Sequence, residues 1–179
     1  MRYATFMDSP IGKLQLAEED GKLTHLLFAW HNTLADLGLQ AEEKETPLLK
    51  KAKKQLQEYF DGKRKVFDLP LAPAGTPFQQ KCWEGLRTIP YGETRTYKDI
   101  ATYAGNPKAV RAAGGANHNN PISIIVPCHR VVGAGGKLTG YSGGIERKAA
   151  LLRMEGQAEA ARNELTFISP DNIIFTTDE

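Results

Sequence analysis

The run Leu69-Pro70-Leu71-Ala72-Pro73-Ala74-Gly75-Thr76-Pro77 constrains this chain more than any other stretch. Its prolines remove backbone donors and lock φ, so neither a helix nor a central strand can cross it. The 179 residues therefore fall into two blocks, with a boundary near residues 70–76. "VFDLP", just before the boundary, reads as the last strand of the first block.

Residues 1–30 read as strands. "KLQLA" alternates apolar with polar, "EEDG" is a turn, and "KLTHLLF" is apolar enough to pair back across it. Thr46-Pro47 then opens a helix, with a hydroxyl cap followed by proline at the first helical position. Its apolar stripe is Leu48, Leu49, Ala52, Leu56, Tyr59 and Phe60, with Lys50, Lys51, Lys53 and Lys54 mainly on the other face and Asp61-Gly62 as the stop. A small antiparallel sheet with one helix accounts for residues 1–75.

The second block reads as mostly helical. Thr76, Pro77 and Gln79 form a capping box for a helix whose Phe78, Cys82 and Leu86 share a face, which makes Cys82 a core thiol. "TYKDIATYAG" is a short helix with Thr96 as cap and Gly105 as stop; "NPKAVRAAGGAN" is a second, with Asn106 as cap. Two short helices joined by a Gly-Asn turn read as a helix-turn-helix. The second has almost no bulk (Ala109, Ala112, Ala113, Gly114, Gly115, Ala116), and Arg111 is the long side chain among them. Such a helix either packs tightly in a core or lets its backbone approach a ligand closely. "IERKAALLRMEG" is a last helix ending at Gly156, and residues 157–179 form an acidic tail that Phe167, Ile168, Ile173, Ile174 and Phe175 could dock.

Charge separates the blocks. Residues 1–75 carry 11 basic and 11 acidic side chains, residues 76–155 carry 11 and 5, and residues 156–179 carry 1 and 5. The basic middle is either a solvated face or a surface for a polyanion. No run approaches the ~20 apolar residues of a membrane span, and "MRYATFMDSP" lacks the apolar centre of a signal peptide. The expectation is a cytoplasmic protein, not attached to a membrane, whose Cys82 and Cys128 stay reduced. Neither these cysteines nor His25 and His31 show metal-ligand spacing, so no metal is expected.

The chemistry concentrates at "ISIIVPCHRVV", residues 122–132. Ile122, Ile124, Ile125 and Val126 read as a buried strand that Pro127 stops, leaving Cys128, His129 and Arg130 where strand gives way to turn. A nucleophilic cysteine acts as its thiolate, which a neighbouring imidazole or cation supports. On an extended chain Cys128 and His129 would point to opposite sides, so a bend or a bridging water is needed. A working imidazole also needs an orienting carboxylate. Glu155, in the last turn of the final helix, stands against the helix dipole. It is either that carboxylate or an ordinary solvated glutamate, and Cys128 is either a nucleophile or an inert buried thiol.

"IVPCHRVV" resembles the active-site signature of the O(6)-alkylguanine-DNA alkyltransferases, also called methylated-DNA–protein-cysteine methyltransferases. "TYKDIATYAGNPKAVRAAGGAN", "NNPISIIVPCHRVVGAGG" and "GYSGGIERKAALLRMEG" follow in that family's order, so the resemblance covers residues 76–156. Residues 1–75 agree only in layout, without the clustered cysteines that give some members a zinc site. The resemblance implies an α/β (α+β) protein with a ribonuclease-H-like N-terminal domain over 1–75. It implies a winged-helix or helix-turn-helix-like domain over 76–156 that carries the PCHR strand. It further implies repair of double-stranded DNA by a monomer, without a cofactor: O(6)-alkylguanine is flipped out and its alkyl group passes irreversibly to Cys128.

By the same resemblance, His129 takes the Cys128 proton through a water and Glu155 orients His129. Asn120 ties the helix-turn-helix to the active-site strand, and Tyr97 offers its hydroxyl to the departing base. Val131, Tyr141, Ser142 and Lys148 line or assist the base pocket. Arg111 fills the gap in the duplex, and Ala109, Ala112, Gly114 and Tyr97 meet the DNA. A slim helix suits a minor groove only about 6 Å wide. Two other classes remain in view. A helix-turn-helix regulator would leave the Cys-His-Arg trio without a role, and a cysteine hydrolase would turn over many times.

Overall fold

A computed structural model describes residues 1–156 and the short strand segments 167–168 and 173–174. The chain divides into two compact units, the first comprising Met1–Thr76 and Asn120–Val126, the second Pro77–Asn119 and Pro127–Glu179.

In the first unit β1 (Arg2–Met7), β2 (Leu14–Glu19), β3 (Lys22–Phe28) and β4 (Glu42–Glu43) form one sheet in the order β3-β2-β1-β4. The β1–β2 and β2–β3 pairs are antiparallel, and β4 runs parallel to β1. Asp20 (φ 53°) and Gly21 (φ 76°) make the tight β2–β3 turn, which needs positive φ at both central residues. The alternation read in "KLQLA" does not place polar residues in water, because β2 is buried from Leu14 to Glu18. Its polar side chains are used as partners instead. Gln15 Oε1 accepts from the Leu34 amide at 2.8 Å, and Glu18 accepts from the Thr46 hydroxyl. Thr46 also caps α1 (Pro47–Phe60), accepting from the Leu49 amide at 3.1 Å. Leu49, Ala52, Leu56 and Tyr59 are the buried stripe that α1 lays on the sheet.

Two expected strands do not form. "VFDLP" makes no ladder: the Gln55 amide brackets the Asp68 backbone at 2.9 and 3.1 Å, and Leu71 makes a single bridge to Leu23. Pro70 and Pro73 lack the donors a longer ladder would need. Residues 122–126 are also not a strand. Ile122 makes one bridge to Leu26, and Ile124 then takes φ 71°, a conformation uncommon for any side chain and an outlier for a β-branched one. The segment is a buried turn, and it packs with the first unit although its position in the chain assigns it to the second block. Asn120 braces it, donating to Val126 O at 2.8 Å and accepting from the Ile122 amide at 3.0 Å.

The second unit opens with α2 (Pro77–Arg87), α3 (Tyr97–Tyr103) and α4 (Val110–His118), each packed on the other two. Trp83 Nε1 donates to Ala116 O at 2.8 Å, and Tyr103 lies so close to Gly85 that an added Cβ would meet its ring at 2.8 Å. Thr96 and Asp99 complete a capping box on α3. α4 starts later than the sequence indicates: Asn106 and Pro107 belong to a turn closed by Ala109 N→Asn106 O, and Ala109 is the N-cap. β5 (Arg95–Thr96) pairs in parallel with β6 (Val131–Val132), and α5 (Ile145–Met154) ends with Glu155 as its cap and Gly156 at φ 97°. In the acidic tail, β7 (Phe167–Ile168) pairs antiparallel with β8 (Ile173–Ile174). Phe175 and the docking of the tail lie outside the described residues.

Candidate active site

Pro127 turns the chain, and Cys128–Arg130 form one 3-10 turn rather than the end of a strand. The bend removes the opposite-sides geometry of an extended chain. Cys128 is 2% exposed and His129 is fully buried. Asn117, on α4, donates from Nδ2 to Cys128 O at 3.3 Å. Asn117 links α4 to the Cys128 carbonyl, and Asn120, directly after the α4 cap Asn119, donates to Val126 O, two residues before Cys128. Asn120 comes from the family resemblance; Asn117 is hidden because it reads as one more small polar residue at a helix end.

Glu155 is 4% exposed and takes three short contacts, which removes the solvated alternative. Oε2 lies 2.8 Å from His129 Nε2 and 3.1 Å from Arg130 Nη2, while Oε1 accepts from Arg130 Nε at 2.8 Å. Arg130 also donates to Ile89 O at 2.8 Å and lies over the Tyr91 ring. Sequence reasoning saw Arg130 only as a cation for the thiolate; its partner is the carboxylate. That role needs the α5 terminus to return beside the turn, which local pattern does not encode.

Electrostatics fixes the protonation states. Burial pushes the Glu155 pKa up, but the positive charge and hydrogen bonds from the His129 and Arg130 side outweigh it, and the carboxyl is held well below its ordinary range. Arg130 is the permanent part of that charge. Burial pushes His129 down more than Glu155 pulls it up, so the imidazole is neutral near pH 7. An ionised Glu155 accepts only, so the His129 proton sits on Nε2. Nδ1 is left with a lone pair, is buried, and has no hydrogen-bond partner among the described residues. A neutral imidazole with one bare nitrogen next to a cysteine is equipped to take a proton.

A second cluster stands close by. The Tyr97 hydroxyl is 2.5 Å from Thr139 Oγ1, to which Lys148 Nζ also donates at 3.3 Å, and Lys148 Nζ lies 5.9 Å from the Tyr97 ring centre. Burial pushes the Tyr97 hydroxyl up, and it pushes fully buried Lys148 down to about 8. Charge on Cys128 would raise both, so both are within its electrostatic reach. Val131 is buried in β6 with its amide spent on Cys128 O. Tyr141 and Ser142 are half-buried in the loop before α5, where Tyr141 O accepts from the Gly144 amide.

On α4, Ala113 and Ala116 face the interior, while Arg111, Ala112 and Gly115 are exposed and Ala109 and Gly114 are half-buried. Arg111 makes no hydrogen bond or ion pair among the described residues. A Cβ on Gly114 would meet only the Tyr97 ring, at 3.9 Å, which puts Tyr97 against the slim helix. Cys82 is buried in the core, and that burial raises its pKa, the opposite of activation. Among the described residues no group of His, Cys, Asp and Glu could hold a metal ion, and no helix is long and apolar enough to cross a membrane.

Comparison with known proteins shows the family. The family model described as "6-O-methylguanine DNA methyltransferase, DNA binding domain" matches residues 77–157, and its "ribonuclease-like domain" counterpart matches residues 1–73. The constitutive methylated-DNA–protein-cysteine methyltransferase of Bacillus subtilis is 51% identical over 162 residues, covering 87% of this chain and 96% of its own. The crystal structure of Mycobacterium tuberculosis O6-methylguanine methyltransferase superposes with a TM-score of 0.80 at 48% identity, covering 88% of this chain and 94% of that one. That of Mycobacterium tuberculosis OGT in complex with DNA gives 0.79 at 48% identity, covering 87% and 93%. With family models spanning both units and a relative matched at half its residues over nearly its full length, the chain belongs to the methylated-DNA–protein-cysteine methyltransferase (O6-alkylguanine-DNA alkyltransferase) family.

Proposed function

We propose that this protein repairs double-stranded DNA by moving the alkyl group of O6-alkylguanine onto its own Cys128, once per molecule. The observation that carries the assignment of the nucleophile is the buried His129–Glu155–Arg130 array beside Cys128, which leaves His129 Nδ1 bare.

The lesion must first leave the stack, at a cost of a few kcal/mol. Arg111, exposed on a helix of alanines and glycines, enters the duplex in its place, with Ala109, Ala112 and Gly114 allowing the close approach. His129 takes the Cys128 proton through a bridging water, while Glu155 holds the Nε2 proton and the charge that develops on the ring. The Cys128 thiolate attacks the alkyl carbon, forming a carbon–sulfur bond as the carbon–O6 bond breaks. The electron pair stays on the guanine, and Tyr97 gives a hydrogen bond or proton to the leaving base. Lys148 stabilises the negative charge passing through the site, and Val131, Tyr141 and Ser142 border the base. No group among the described residues is placed to cleave a thioether, so the protein is consumed. One chain supplies the whole array, so a monomer suffices, and a reduced thiol fits the cytoplasm.

Mixing the protein with a duplex carrying one O6-methylguanine tests this by intact mass spectrometry and peptide mapping. One added methyl on Cys128 and none on Cys82 is the expected outcome. Label on Cys82, or several turnovers per molecule, refutes it.

A further inference from the structure

Thr139 is absent from the chemistry so far, yet the Tyr97 hydroxyl and the Lys148 ammonium both end on its Oγ1. It sits in the loop between β6 and α5. That loop is closed by Gly133 N→Lys137 O at 2.7 Å, and the Thr139 methyl lies 3.3 Å from where a Cβ on Gly133 would stand. The hydroxyl is therefore held from two sides rather than waving on a free loop.

Counting donors shows what each order of this bond leaves free. A lysine ammonium only donates, so Thr139 Oγ1 accepts from Lys148. Threonine keeps one hydrogen to give, and Tyr97 O, 2.5 Å away, can accept it, although either oxygen can be the donor in this pair. In this order Tyr97 keeps its own hydrogen pointing away from Thr139. In the reverse order Tyr97 would spend its only hydrogen on Thr139 and have none for a base. Donation from a cation polarises the threonine O–H and makes it a better donor, which favours the first order.

We propose that Thr139 is a positioning residue of the alkyl transfer: it orients the Tyr97 hydroxyl as a donor toward the departing base and couples that hydroxyl to Lys148. This rests on the reading that Tyr97 serves the base. In this role Thr139 acts through Tyr97.

The test is single-turnover methyl transfer from duplex O6-methylguanine at saturating protein, with DNA affinity measured alongside. Thr139→Ser keeps the hydroxyl and stays within about twofold of wild type. Thr139→Val keeps the shape and slows transfer about tenfold at unchanged DNA affinity, less than the roughly hundredfold that a 1 Å misplacement costs. Should the valine variant not fold, Thr139→Ala reads the same loss. In the double variant with Tyr97→Phe, removing the Thr139 hydroxyl adds no more than about twofold to the Tyr97→Phe loss, because the two act as one unit. Wild-type rates in Thr139→Val and Thr139→Ala, a serine variant as slow as valine, or losses that multiply overturn the proposal. Tyr97→Phe at the wild-type rate is a separate result: it removes the reading of Tyr97, and the proposal with it.

Discussion

Glu155→Gln tests the central array. The variant keeps the shape of the side chain and replaces one acceptor oxygen by an NH2 donor. If the amide oxygen takes the Oε1 place, it keeps the 2.8 Å bond from Arg130 Nε and loses the 3.1 Å contact to Nη2. If it takes the Oε2 place, it keeps the 2.8 Å contact to His129 Nε2 and the 3.1 Å contact to Nη2 but sets the NH2 against Arg130 Nε. The first arrangement aims the NH2 at His129 Nε2. Nε2 must then accept, the ring proton moves to Nδ1, and the nitrogen that served Cys128 no longer has a lone pair. An analogous wrong tautomer in a serine-protease triad costs about 10⁴ in rate, and a loss of about 10³–10⁴ is expected here. The broken ion pair also costs about 3 kcal/mol, the low end for disrupting a buried pair. That corresponds to a fall in melting temperature of roughly 6–12 °C for a chain of this size. Single-turnover kinetics well below that temperature, with DNA binding measured in parallel, separates rate from folding. A folded variant within about tenfold of wild type would show that the His129 tautomer does not matter, and would refute the reasoning.

Three further outcomes follow from the geometry. Arg111→Ala should slow repair most in fully paired duplex and least in single strands, where flipping costs little; equal losses on both substrates would argue for a general positioning role, and a salt slope reduced by about one would mark a phosphate contact. Asn117→Ala should cost about 1 kcal/mol in denaturant unfolding and slow transfer, because the Cys128 carbonyl loses its tether from α4; unchanged stability and rate would show that the turn holds itself. His129 has a lowered pKa, so transfer should persist as pH falls through 6.5 and fail only in more acid solution. In the same window the unfolded chain binds a proton on His129 that the folded one does not, so stability should fall as pH drops below 6.5. Glu155, also lowered, adds stability present above its ordinary range and lost in stronger acid. Denaturant curves at pH 7.5 and 5.5 check the sign for His129, and greater stability at the lower pH would contradict it.

Much of this protein was legible in local pattern. Thr46-Pro47 and the Thr96 capping box act within one turn of chain, so their residue types alone place α1 and α3. The proline run before Thr76 separates the blocks for the same local reason. Cys128 and His129 were legible because an imidazole beside a thiol in an apolar run is costly to bury unless it has a partner and a task. Local pattern failed where burial was mistaken for extension. Ile122, Ile124, Ile125 and Val126 are apolar because they are enclosed, and composition does not distinguish an enclosed turn from an enclosed strand. Only tertiary structure bends that segment at Ile124 and packs it with the first unit. The same holds for the polar partners. Arg130 meets Glu155 across 25 residues, Asn117 meets the Cys128 carbonyl across 11, and Tyr97 meets Thr139 across 42. Each partner is an ordinary polar residue in its own neighbourhood. What makes it part of the site is a hydrogen bond that exists only once the chain has folded, and the cost of leaving a buried charge or donor unpaired selects which residue stands there.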